Sequence, residues 1–148
     1  MKWGLISKLL AVILAFLTPF ILIIFNGPLG ALSQYWNTPF QPLFIITNAM
    51  TSYFFFHFRS WWIPSIFLLG LTAFSYNQFP LFHNILAITF FLTSGYTLFK
   101  TKKYMRYFYI YLIALIIIPF NLLIGEILAV MGLCAYHFHM LLFKHRLL

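Results

Sequence analysis

Glu126 is the only acidic side chain in a chain of 148 residues that carries nine Lys and Arg. It stands at the start of an apolar run, Gly125–Phe143, that is long enough to cross a bilayer as a helix. An ionised group costs about 2.5–3.5 kcal/mol at mid-bilayer and less near the interface, so a lone carboxylate beside such a run calls for a partner or a task. The matching base is His83, near the start of the run Leu81–Phe99. If these two runs cross in the same direction, acid and imidazole sit at one depth, and His83 is the only titratable side chain placed to balance the carboxylate. The expectation is that they face each other within direct or one-water reach, about 3–6 Å. Such a pair suits a headgroup, a small polar ligand or a proton. The bland alternative is a polar helix end, with Glu126 meeting a favourable dipole worth about 0.3–1 kcal/mol.

Further polar groups gather at the same end: Asn84 beside His83, Asn77 and Gln78 before it, Asn121 ahead of Glu126, and Gln34, Tyr35 and Asn37 in the first long connection. Together they outline an outward-facing pocket whose ligand-binding residues are Glu126, His83, Asn84, Asn77, Gln34, Tyr35 and Asn121. A deeper set, Asn48, Thr51, Ser52, Thr89, Thr93 and Ser94, reads as interhelical hydrogen bonding. Gly125, Ala129 and Gly132 share one face and predict a close helix contact.

Other chemistries find little support. His57, His137, His139 and His145 fall toward the opposite end without convergent spacing, so neither a metal nor a haem is expected, and no cofactor. Cys134 is alone within a run and reads as a packing residue. No nucleophile elbow or phosphate loop occurs, so no catalytic residue is assigned.

The elements that must hold these residues follow from composition. The chain is 64% hydrophobic and 7% charged, with mean hydropathy +0.97, which leaves too little polar surface for a soluble globule. A net charge of +8 suits nucleic-acid binding only where it clusters on one soluble face, and here the cations lie between apolar runs, so no nucleic-acid partner is expected. Six runs recur, Leu9–Phe25, Pro42–Phe58, Trp61–Ser75, Leu81–Phe99, Tyr104–Phe120 and Gly125–Phe143. They predict an all-α, polytopic membrane protein, a six-transmembrane-helix bundle in a single domain. The third run depends on a break at His57–Ser60; without it, runs two and three form one re-entrant hairpin. The first run is basic at its start but lacks a small-residue cleavage site and is read as a retained span.

Eight of the nine cations fall in alternate connections or at the chain ends and the ninth, Arg106, in the first turn of the fifth run on the same side, whereas 26–41, 76–80 and 121–124 carry none. The positive-inside rule then puts both termini in the cytoplasm. Tyr35 and Trp36 are expected as aromatic belt residues on the outer side and Trp61 and Trp62 on the inner. Pro19, Pro64 and Pro119 are candidates for kinks or helix ends. Lys144, His145 and Arg146 read as an anionic-lipid contact at the cytoplasmic face.

The segments Leu32–Thr38, Leu81–Phe91 and Gly125–Ala129 resemble small bacterial six-span proteins of unknown function, loosely allied to the Frag/DRAM/Sfk-like group. In that resemblance His83 and Glu126 match a His of span four and a Glu of span six, and Ser33 and Tyr35 match a Ser-x-Tyr before span two. The eukaryotic relatives are associated with membrane lipid organisation, which implies lipid as a partner; the short first outer loop here departs from their pattern. The expectation is a multi-pass protein of the bacterial inner membrane. It would be non-catalytic, binding a lipid, a small polar ligand or a partner membrane subunit. The alternatives are a lipid-headgroup-modifying enzyme, with His83 as base, Glu126 orienting it and Ser33 or a water as nucleophile, and a proton-coupled transporter.

Overall fold

The computed structural model describes residues 2–58 and 60–144. Arg59, and His145 and Arg146 of the expected lipid contact, lie outside the described residues. Among the described residues the chain is entirely helical. The order is α1 (Lys2–Asn26), a 3₁₀ segment (Leu32–Asn37), α2 (Gln41–Phe56), α3 (Trp62–Ala73), α4 (Pro80–Lys100), a 3₁₀ turn (Lys102–Tyr104), α5 (Met105–Ile117) and α6 (Leu122–Lys144).

The helix ends follow local chemistry. Pro42 and Pro80 open α2 and α4, where a missing N–H costs nothing. Gly27, at φ +74°, takes the left-handed turn that closes α1 and donates its N–H to Ile23 O at 2.8 Å. Asn121 accepts the Ile124 N–H on its Oδ1 at 3.1 Å and so caps α6. The break after α2 forms as the sequence requires, and runs two and three are separate helices. Pro119 halts α5 at Ile117, whereas Pro19 lies inside α1 without ending it.

Three helical stretches, Gly4–Asn26, Pro80–Lys100 and Leu122–Phe143, are long and apolar enough to cross a membrane. Two of the expected spans are shorter as helices. α3 has 12 residues and α5 has 13, about 18 and 20 Å at 1.5 Å per residue. The run Leu9–Phe25 is longer than expected, because nothing in Lys2–Lys8 breaks the helix.

Each helix packs on its neighbours in sequence, and α6 returns to α1, so the six close into a ring. Neighbours run antiparallel. The Thr18 and Thr47 hydroxyls lie 3.0 Å apart near the end of α1 and the start of α2. Ser52 and Ser65 each donate to the other's carbonyl, at 2.7 and 2.6 Å, across α2 and α3. Tyr111 on α5 donates to Phe91 O on α4 at 3.0 Å. One end of the ring therefore carries Lys8, Lys100, Lys102 and Arg106, and the other carries Glu126 and His83.

Two aromatic expectations are corrected. Tyr35 and Trp61 are not belt residues: they are 0% and 1% exposed, because each fills the end of the bundle rather than its rim. Trp61 packs in a cluster with Phe55, Tyr136 and His137, and Tyr35 sits over Leu22, Phe44 and Leu123. Of the deeper polar set, Ser52 bonds between helices, but Thr89 and Thr93 turn back to Ile85 O and Thr89 O on their own helix, both at 2.7 Å. A hydroxyl one turn below a carbonyl satisfies itself locally before it can reach a neighbour.

Candidate functional site

The 3₁₀ segment forms a roof over the Glu126 end of the ring. Tyr35 holds it from beneath: its hydroxyl donates to Gly27 O at 2.7 Å and accepts the Leu29 N–H at 3.3 Å. Gln34 Oε1 accepts the Gly30 N–H at 2.8 Å and tightens the approach. The third fastening comes from far along the chain, where Glu126 Oε2 accepts the Leu32 N–H at 2.6 Å. At 2.6 Å this bond lies at the short end of the range for a main-chain N–H and an oxygen, so it holds Leu32 closely. The sole carboxylate thus ties the roof to α6.

Beneath the roof lies a cavity of about 80 Å³ bordered by Ser33, Asn48, His83 and Glu126, with Leu68, Phe90 and Val130 among its apolar walls. A second chamber of about 70 Å³ shares Leu32, Phe44, Asn48, Leu68, Phe90 and Val130 with the first and continues past Thr18, Thr47 and Thr51 to Phe55 and Cys134. On α6 the descent from Glu126 to Cys134 covers about 12 Å. The two chambers are neighbours that share these wall residues and together make an axial cleft of two compartments, the upper polar at the roof and the lower edged by hydroxyls and one amide on mostly apolar walls. Each has room for several waters, since one needs about 10–15 Å³ of this kind of space.

His83 and Glu126 border the same chamber, as their shared depth predicts, but they do not bond to each other. His83 Nδ1 lies 2.7 Å from Phe74 O. A carbonyl only accepts, so Nδ1 carries the proton and a neutral ring keeps its lone pair on Nε2. The expected acid–base pair is thus replaced by two side chains that each satisfy a main-chain group. The reason is geometric: α3 ends at Ala73, so the Phe74 carbonyl, freed at that end, lies closer to His83 than α6 does.

The remaining predicted residues divide. Tyr35 and Gln34 secure the roof, and Asn121 caps α6. Asn77 borders a separate polar depression with Trp36, Asn37, Gln41 and Gln78, and Asn84 is exposed on α4. The cleft itself is lined by Asn48 and Thr51, which the sequence alone assigns to helix contacts, and by Thr18 and Thr47, for which the sequence makes no assignment. The available signal was the spacing of Asn48 and Thr51 with Phe44 and Thr47 on one face of α2. Compared with known proteins, the chain matches no family model, no curated protein and no solved structure.

Proposed function

We propose that this is a six-span membrane protein, with both termini in the cytoplasm, that binds a small polar or amphipathic ligand, such as part of a lipid, in the axial cleft. The observation that carries the reading is the convergence of Ser33, Asn48, His83 and Glu126 on one chamber that shares a wall with a second, mostly apolar one. A ligand would set its polar end against His83 and Glu126 and its hydrocarbon part below. The likeness to the Frag/DRAM/Sfk-like group belongs to the same proposal, because three of its four residues, Ser33, His83 and Glu126, border this chamber and the fourth, Tyr35, holds the roof.

Native mass spectrometry after gentle detergent extraction tests the binding. The wild-type chain should carry an adduct that Glu126→Gln and Asn48→Leu lose together. A bare wild-type monomer, or an adduct indifferent to both changes, would overturn the reading.

The membrane arrangement draws on three helices long enough to cross, on alternating helix direction and on the cations at one end of the ring. α3 and α5 are shorter than a full crossing, and the turns that follow them are largely exposed, so in this proposal the bilayer thins beside them. In a Cys134→Ala background, Gln34→Cys and Asn77→Cys should react with a membrane-impermeant thiol reagent added outside intact cells, and Lys102→Cys should not. Reaction at position 102 alone would invert the orientation.

A proton path is the second reading, favoured by the ladder of Asn48, Thr47, Thr18 and Thr51 down the cleft. It stands behind the first because Phe55, stacked on His137 with ring centroids 4.2 Å apart, closes the lower end.

A further inference from the structure

The helices α1 and α2 touch through Thr18 and Thr47 but part toward the cation-bearing end, where they leave a groove of about 380 Å³. The recess exists because α1 presents Gly4, Ser7 and Ala11 there, small residues one turn apart. Gly4 is so open that a Cβ added to it would meet nothing within 4 Å. Opposite them α2 offers Met50 and Phe54 deeper in the groove and His57 at its mouth. Lys8, half-buried, forms part of the wall, with its Nζ 5.8 Å from the centre of the Phe58 ring.

Among the described residues no carboxylate answers the charge of this groove. The one carboxylate, Glu126, is at the opposite end of the ring and already holds the Leu32 N–H. A half-buried ammonium without a carboxylate partner draws its counter-charge from outside the chain. His57 adds a polar group: its Nδ1 is committed to Tyr53 O at 2.8 Å, which leaves Nε2 as its remaining polar atom. Above these groups the floor is apolar and runs toward the middle of the bundle through Ala11, Met50 and Phe54. A cation at the mouth over an apolar floor matches a phosphate joined to a hydrocarbon chain.

We infer that this groove holds an anionic phospholipid of the inner leaflet, its phosphate at Lys8 and one acyl chain along Ala11, Met50 and Phe54. The inference rests on the membrane orientation proposed above but not on the axial cleft. Anionic headgroups are attracted to basic residues near the membrane surface, and the groove adds a shape that a flat basic patch lacks.

The test is the melting temperature of the purified full chain in neutral maltoside micelles. Palmitoyl-oleoyl phosphatidylglycerol should raise it by about 4 °C or more over phosphatidylcholine with the same chains, since a ligand that binds only the folded state stabilises it by mass action. Lys8→Gln should lose most of that increment. Lys100→Gln should keep it, because Lys100 lies over the Tyr96 ring, 4.8 Å from its centre and outside the groove. Ser7→Leu fills the recess while sparing the charge and should also lose the increment; Ser7 is exposed, so the chain tolerates the change. Glu126→Gln should retain the full increment, which separates this site from the cleft. Equal effects of the two lipids, equal losses in Lys8→Gln and Lys100→Gln, or an increment reproduced by inorganic phosphate alone would each overturn the proposal.

Discussion

Replacing Gly125 by Ala should destabilise the chain more than any other single-methyl addition to α6. A Cβ at that position would lie 2.5 Å from Ile118 Cγ1 and 2.8 Å from both the Cα and the N of Ile118. The side-chain atom could move aside, but the main-chain atoms belong to the residue that caps α5 and can move only with the α5–α6 turn. Overpacking of this kind costs about 1–3 kcal/mol and sometimes more. The gain from replacing a helical glycine by alanine, about 1 kcal/mol at an interior position, offsets only part of it. Gly132→Ala is the control, because its Cβ would meet Ile110 Cγ2 at 3.6 Å and Tyr111 N at 3.9 Å, both ordinary contacts. In a thermal melt in detergent, Gly125→Ala should fall by several degrees, while Gly132→Ala stays level or rises. Equal shifts would remove the close contact as an explanation for the glycine. Glu126 is the next residue on α6, so a shift of α6 against that turn should loosen the roof as well.

That contact shows which features the sequence made legible. Small residues at Gly125, Ala129 and Gly132 announce a face that approaches another backbone, and α5 packs there. What spacing cannot give is the grading along the face: a Cβ at Gly125 would be driven into the side chain and main chain of Ile118, whereas one at Gly132 would meet Ile110 and Tyr111 at ordinary distances. Helix positions were legible for a similar reason, since apolar runs and their Pro and Gly punctuation are local. Helix lengths were less so. Pro119 stops α5 early, whereas Lys2–Lys8, polar enough to look like a preface, continues α1.

The site was legible in part. Glu126 and His83 do border one chamber, because two helices running in the same direction hold their first turns at one depth. Their bonding partners were not legible. Phe74 O and the Leu32 N–H are main-chain groups, which carry no residue-type signal, and both become available only where a helix end or a 3₁₀ turn leaves them free. Tyr35 was misread for a related reason. An aromatic residue in an uncharged loop looks like an interfacial anchor until the loop folds over the bundle and the ring becomes its plug. Asn48 was read as a helix contact because an amide in an apolar run serves packing and ligand binding equally well, and only the open space beside it separates the two.

The largest functional effect should come from Glu126→Ala, and comparison with Glu126→Gln should divide its two roles. Glu126 Oε2 holds the Leu32 N–H at 2.6 Å, and the carboxylate also borders the chamber beneath. Alanine removes both the acceptor and the charge. The Leu32 N–H is then left without its partner, at a cost of about 1–3 kcal/mol, and one of the three fastenings of the roof is gone. Glutamine keeps an oxygen at the same reach, so the bond survives in its weaker neutral form and the roof stays down. Hydrogen exchange of the Leu32 amide should therefore accelerate markedly in Glu126→Ala and only slightly in Glu126→Gln, with melting temperatures in the same order. Bound adduct, which depends on the charge as well as the roof, should be lost in both. A carboxylate serving only the helix dipole predicts a different pattern: Ala and Gln would cost the same, about 0.3–1 kcal/mol, and Leu32 would exchange as in the wild type. That account is already strained by position, because the first turn of α6 contains no acidic residue and the dipole's influence fades beyond it. Equal exchange at Leu32 in the two variants would return Glu126 to the status of a helix residue with no hold on the roof.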